Sequence, residues 1–168
     1  MTHRLATAAA ACGAAVLAVC HATACAHAQP PQPVPPAPDA PCSDTFAGAM
    51  ARLADGKTNL VCSDQGGGYQ WSQHNYPYPL SDRWLTYGPV LTLHGQGMRN
   101  PEMLSGDWTG DPQDRNSVCN AEQVTVLGPG HVSPPETVTG EPGRTLEFNV
   151  SPTMFTIALS GNCLWQKG

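Results

Sequence analysis

Between Leu146 and Ser160 apolar and polar residues alternate in two successive runs. Leu146, Phe148 and Val150 interleave with Glu147, Asn149 and Ser151, and Phe155, Ile157 and Leu159 interleave with Thr156, Ala158 and Ser160. A period of two sends successive side chains to opposite faces of an extended chain, so each run reads as a strand with one buried face. The polar stretch Ser151-Pro152-Thr153-Met154 between them predicts an antiparallel hairpin. Shorter runs of the same kind predict strands at Tyr69–Ser72, Trp84–Tyr87, Val90–His94 and 121–127, separated by turn signals such as Gly66-Gly67-Gly68, Gly88-Pro89 and Gly140-Glu141-Pro142-Gly143. Residues 43–55 carry two readings. Phe46, Met50 and Leu53 fall at helical spacing after a Ser43 or Asp44 cap, while Asp55-Gly56 suits the turn of a hairpin. The expected fold is mainly β: a small antiparallel β-sandwich or barrel with two disulfides and room for one short N-terminal helix.

The load of 17 Gly and 17 Pro, with only 12% charged residues, fits turn-rich sheets and excludes a long-helix protein. The chain has 168 residues, enough for one ordinary domain. It divides into three segments. Residues 1–28 carry Arg4 as a short positive n-region, continue as an Ala-rich apolar run and end in Ala26-His27-Ala28, a small-x-small cleavage pattern, so they read as a secretory signal. Lipid anchoring through Cys20 or Cys25 is the alternative, because each follows a lipobox-like run. Residues 29–41 hold seven prolines in thirteen positions and read as an extended Pro-rich tether. Residues 42–168 form the domain.

Of seven cysteines, Cys12, Cys20 and Cys25 leave with the signal. Cys42, Cys62, Cys119 and Cys163 remain, an even number in an oxidising compartment, and so read as two disulfides. Three pairings are open. Cys42–Cys62 with Cys119–Cys163 is favoured because both loops are then local.

A net charge of −5 offers no basic footprint for nucleic acid. The mature chain has no transmembrane segment, and nothing in it reports an oligomeric state. No cofactor or metal site is read either: there is no CxxC pair, and the acidic stretch 105–116, with Asp107, Asp111, Asp114 and Asn116, lacks calcium-loop spacing and reads as turns. His94 with Asp82 or Asp107 suggests a hydrolase triad only on paper, since G-x-S-x-G is missing.

All four tyrosines and two of the four tryptophans fall within 69–87. Gln73-His74-Asn75-Tyr76-Pro77-Tyr78-Pro79 reads as a surface loop in which rigid rings and amides suit binding. Tyr76, Tyr78, His74, Asn75 and Arg83 are the candidate contacts, and no residue is nominated as catalytic. A protein or a glycan is the partner such equipment suits. The blander reading places Trp71, Trp84 and Tyr87 in the core and packs Tyr76 and Tyr78 over the end of the domain.

The Ala-rich signal, the Pro-rich leader and a four-cysteine domain ending Ser160-Gly161-Asn162-Cys163-Leu164-Trp165 resemble small exported proteins of mycobacteria and related actinobacteria. The resemblance implies secretion or residence in the cell envelope and carries over no site residue. The expected function is non-catalytic binding or interaction. One alternative is a hydrolase acting on envelope polymers, which calls for a deep pocket around His94 or two close carboxylates. The other is a purely structural envelope protein, which calls for neither.

Overall fold

A computed structural model describes residues 33–168. The signal segment, with Cys20 and Cys25, and residues 29–32 of the tether lie outside the described residues. Twelve strands follow one 3-10 turn at Asp44–Phe46: β1 (Met50–Arg52), β2 (Asn59–Asp64), β3 (Tyr69–His74), β4 (Arg83–Tyr87), β5 (Leu91–His94), β6 (Gly106–Pro112), β7 (Asn120–Gly128), β8 (His131–Val132), β9 (Glu136–Thr139), β10 (Leu146–Val150), β11 (Met154–Ser160) and β12 (Asn162–Lys167). One sheet runs β10-β6-β12-β4-β1-β2-β3; the other runs β5-β11-β7-β8, with β9 also paired to β7. Neither closes into a barrel, and the mainly β expectation is met. Pairing is antiparallel except between β1 and β4.

The core lies between the sheets. Trp84, Trp108 and Trp165 of the larger sheet are at most 1% exposed and belong to one cluster with Leu93, Met154, Ile157 and Leu159 of the smaller. Each indole N–H has an acceptor: Trp165 donates to Thr86 Oγ1 at 2.9 Å, Trp108 to Leu104 O at 2.9 Å and Trp84 to Glu102 O at 3.2 Å. Burying these rings therefore leaves no stranded donor. Gly110 is the cross-strand partner of Trp165, and a Cβ there would lie 2.6 Å from the Trp165 ring. The small residue is what lets the indole lie flat on β6. On the outer face a second cluster of Ala51, Leu60, Cys62, Trp71 and Leu85 packs under Phe46 and Cys42.

The disulfides are Cys42–Cys62 and Cys119–Cys163. The first fastens the segment after the tether to β2, and the second fastens β12 of the larger sheet to the start of β7 in the smaller.

Three local expectations are revised and one open choice is settled. Residues 146–150 and 154–160 are strands but do not form a hairpin: β10 pairs with β6, and β11 pairs with β5 and β7. Each strand has an apolar face, and the connection through Ser151 carries the chain across the layers, so those faces meet in one core cluster instead of lying side by side. A register shift between Met154 and Thr156 turns Met154 into the core and leaves Phe155 half-buried. The stretch read as acidic turns contains β6, a strand inside the sheet; Trp108 and Gly110 face inward while Asp107, Thr109 and Asp111 alternate outward. Finally, of the two readings of 43–55 the hairpin is the one formed. Helix is limited to the three-residue turn, and β1 pairs with β2 across Asp55-Gly56, where Gly56 has φ of 68°.

Packing also begins before Cys42. Pro36 is buried, Asp39 N–H donates to Trp71 O at 2.8 Å, Trp71 N–H donates to Ala40 O at 2.9 Å, and Pro41 bridges Gln70. The last residues of the Pro-rich segment thus cover part of the free edge of β3, which would otherwise present unpaired backbone groups.

Candidate binding surface

The loop between β3 and β4 carries the predicted tyrosines. Tyr76 is 56% exposed and Tyr78 37%, and Leu80 is exposed beside them. Pro77 and Pro79 fix φ at alternate positions of this loop and so limit the conformations its tyrosines can sample. It is fixed from below as well. The buried Asn59 side chain donates to the carbonyls of Tyr76 at 3.2 Å and Pro77 at 3.3 Å. The Tyr78 ring stacks on His94 with centroids 5.2 Å apart and planes at 26°.

His94 ends β5 and rests on a buried ion pair. The Glu102 side chain is 1% exposed; Oε1 pairs with Arg52, and Oε2 accepts the His94 backbone N–H at 3.0 Å. Arg52 lies over the Trp84 ring at 5.6 Å, and its Nε donates to Asn59 Oδ1 at 2.9 Å. Its Nη1 reaches Thr92 O at 3.2 Å. One connected network therefore joins β1, β2, β5, the Glu102 segment and the tyrosine loop. His94 Nδ1 is 3.8 Å from Glu102 Oε2 and has no hydrogen-bond partner among the described residues.

The larger sheet opens outward beside this network. Cross-strand register sets Trp84, Met50, Val61 and Ser72 in one inward-facing row and Arg52, Asn59 and His74 in the next. Burial falls along the first row, from Trp84 and Met50 at 0% and 4% to half-buried Val61 and Ser72. On the same face Gln65 Nε2 donates to Ser63 Oγ at 2.9 Å and Ser72 Oγ at 3.1 Å, and Gln70 is exposed. The end of the sheet near β3 is a shelf of hydroxyl and amide groups.

Of the candidate contacts, Tyr76, Tyr78 and exposed Asn75 share the loop, and half-buried His74 shares the face of Asn59. Arg83 does not join them. Its guanidinium donates to Ala47 O at 2.5 Å and Thr45 O at 2.7 Å, tying down the 3-10 turn. Trp71, Trp84 and Tyr87 are core residues. Burial raises the Tyr87 phenol above its ordinary value, with the Asp55 charge adding to it, and its hydroxyl donates to Arg52 O at 2.9 Å.

The carboxylate that His94 meets is neither Asp82 nor Asp107 but Glu102. Asp107 instead accepts from Asn149 Nδ2 at 2.7 Å, and Asp111 from Thr145 at 2.7 Å and Gln166 at 3.0 Å. Asp114 caps its own turn and accepts from Asn162 Nδ2, bonds that hold its carboxyl down at about 2. Among the described residues no three His, Cys, Asp or Glu side chains converge as metal ligands. A groove of 280 Å³ beside the network, lined by Arg52, Leu53, Tyr87, Pro89 and Val90, has its arginine and phenol already hydrogen-bonded.

Comparison with protein-family models, with curated proteins and with solved structures finds no significant match.

Proposed function

We propose that this chain is a secreted or envelope-associated binding domain whose contacts are made by Tyr76, Tyr78 and Asn75, with His74 and His94 at their margin. The observation that carries the reading is the exposure of two tyrosine rings on a loop held in place by Asn59 and by the His94 stack. A loop ordered before binding loses little freedom on contact, so its rings contribute most of their interaction energy to affinity. Two disulfides, and the absence of any membrane-crossing helix among the described residues, are compatible with work outside the cytoplasm. The signal segment, whether cleaved or lipid-modified, belongs to the same proposal.

The test is capture from an envelope fraction by the purified secreted chain and by its Tyr76→Ala/Tyr78→Ala variant. The wild type retains a component that the variant releases. Equal retention by both removes these tyrosines from the function.

The alternative of a hydrolase acting on envelope polymers draws on one feature, the His94 imidazole beside the Glu102 carboxylate. That carboxylate is already engaged by Arg52 and by a backbone N–H, which favours a structural role for it. Release of soluble fragments from envelope polymers by the wild type, lost in His94→Ala, would establish that alternative.

A further inference from the structure

We infer that the tyrosine loop and the adjoining shelf of β2 and β3 take a neutral glycan chain; this rests on the binding reading above and names its ligand class. From Gln65 to Ser81 the sequence contains no Asp, Glu, Lys or Arg, within a chain whose net charge is −5. Beneath the loop the charges of Arg52 and Glu102 are paired, and the one charged residue of the β3–β4 loop is exposed Asp82 at its end. An anionic ligand seated here would lose hydration without gaining a counter-ion, which is unfavourable. Protein interfaces usually draw on arginine among their central contacts, and this segment supplies none.

What the surface does supply matches a sugar on both counts. Tyr76 and Tyr78 offer ring faces to the C–H faces of pyranose or furanose rings. Gln70 and Asn75 are exposed amides, and the Ser63, Ser72 and Gln65 cluster adds hydroxyl and amide groups on the inner face. These are uncharged donors and acceptors suited to hydroxyl groups. These polar groups continue along β2 and β3 away from the loop, a run of strand longer than one sugar ring, so the ligand is taken to be an extended chain rather than a single sugar.

The experiment titrates the secreted chain with three neutral hexasaccharides (chitohexaose, cellohexaose and mannohexaose) and with polygalacturonate as an anionic control, read by calorimetry. Saturable binding of at least one neutral hexasaccharide is expected, together with a loss of about tenfold in Tyr76→Ala and in Tyr78→Ala. Tyr76→Phe keeps the ring and keeps most of the affinity. Both alanine variants are checked for unchanged circular dichroism, so that lost binding is not lost folding. If polygalacturonate binds best, or if none of the three hexasaccharides binds while the tyrosines still capture an envelope protein, the glycan assignment is overturned and the binding reading stands. If the tyrosine loop captures nothing of either kind, both are overturned.

Discussion

Arg52 and Glu102, fifty residues apart in sequence, form an ion pair at the foot of the tyrosine loop with side chains 14% and 1% exposed. Pairing is what makes a carboxylate tolerable at that depth. The pair also positions the surface above it: Glu102 accepts the backbone N–H of His94, on which Tyr78 stacks, and Arg52 holds Asn59, which holds the carbonyls of Tyr76 and Pro77.

Glu102→Gln removes the charge and keeps an acceptor for His94. It leaves the arginine without its counter-ion in a mostly buried position, and the expected loss is about 3 kcal/mol in urea denaturation. Arg52→Met/Glu102→Gln loses less than the two single changes added together, because no unpaired charge remains.

Disulfide removal differs between the two bonds. Cys119 and Cys163 are 44 residues apart, Cys42 and Cys62 only 20. Loop-closure entropy then assigns about 4 kcal/mol to the first and about 3 kcal/mol to the second. Paired Cys→Ala variants measured by thermal unfolding fall in that order, and mass spectrometry of the chain produced in an oxidising compartment finds Cys42, Cys62, Cys119 and Cys163 all without free thiols.

Acid stability depends on two exposed turns. Asp55 is held at about 2 by the Thr58 hydroxyl first and then by backbone N–H groups, and Asp114 at about 2 by the Ser117 hydroxyl and Asn162. Folded-state values lie below the unfolded value of 3.8, so each contribution is present above pH 3.8 and is lost as pH falls through about 2. Asp55→Asn/Asp114→Asn therefore shows a shallower decline in urea midpoint across that window than the wild type.

Part of this molecule was legible in the sequence, and the boundary follows from the range of the interactions. Strands such as Leu146–Val150 and Met154–Ser160 announce themselves because alternation is a local pattern. Their partners do not, since a strand with one apolar face can lie beside its neighbour or pack against it across a core. Local disulfide loops could be ranked by length, and the ranking matches the bonds formed. Strand β6 was hidden because Gly, Asp and Pro are turn residues by composition; only the facing Trp165 ring explains why Gly110 sits in a strand. The tyrosine loop was visible from Tyr and Pro alternation. Glu102 was not, since a lone acid between Pro101 and Met103 looks like a solvated loop residue until Arg52 folds against it. Arg83 looked available for the same reason in reverse: the carbonyls it serves belong to a turn far away in sequence.

Hydroxyl-radical footprinting of the purified chain, free and bound to an envelope fraction, tests the central claim most directly. The account predicts protection on binding concentrated at Tyr76, Tyr78 and His94, with the exposed apolar residues Leu127 and Val132 of the β7–β8 hairpin unchanged. Protection centred on that hairpin, with the tyrosine loop oxidised equally in both states, would contradict it.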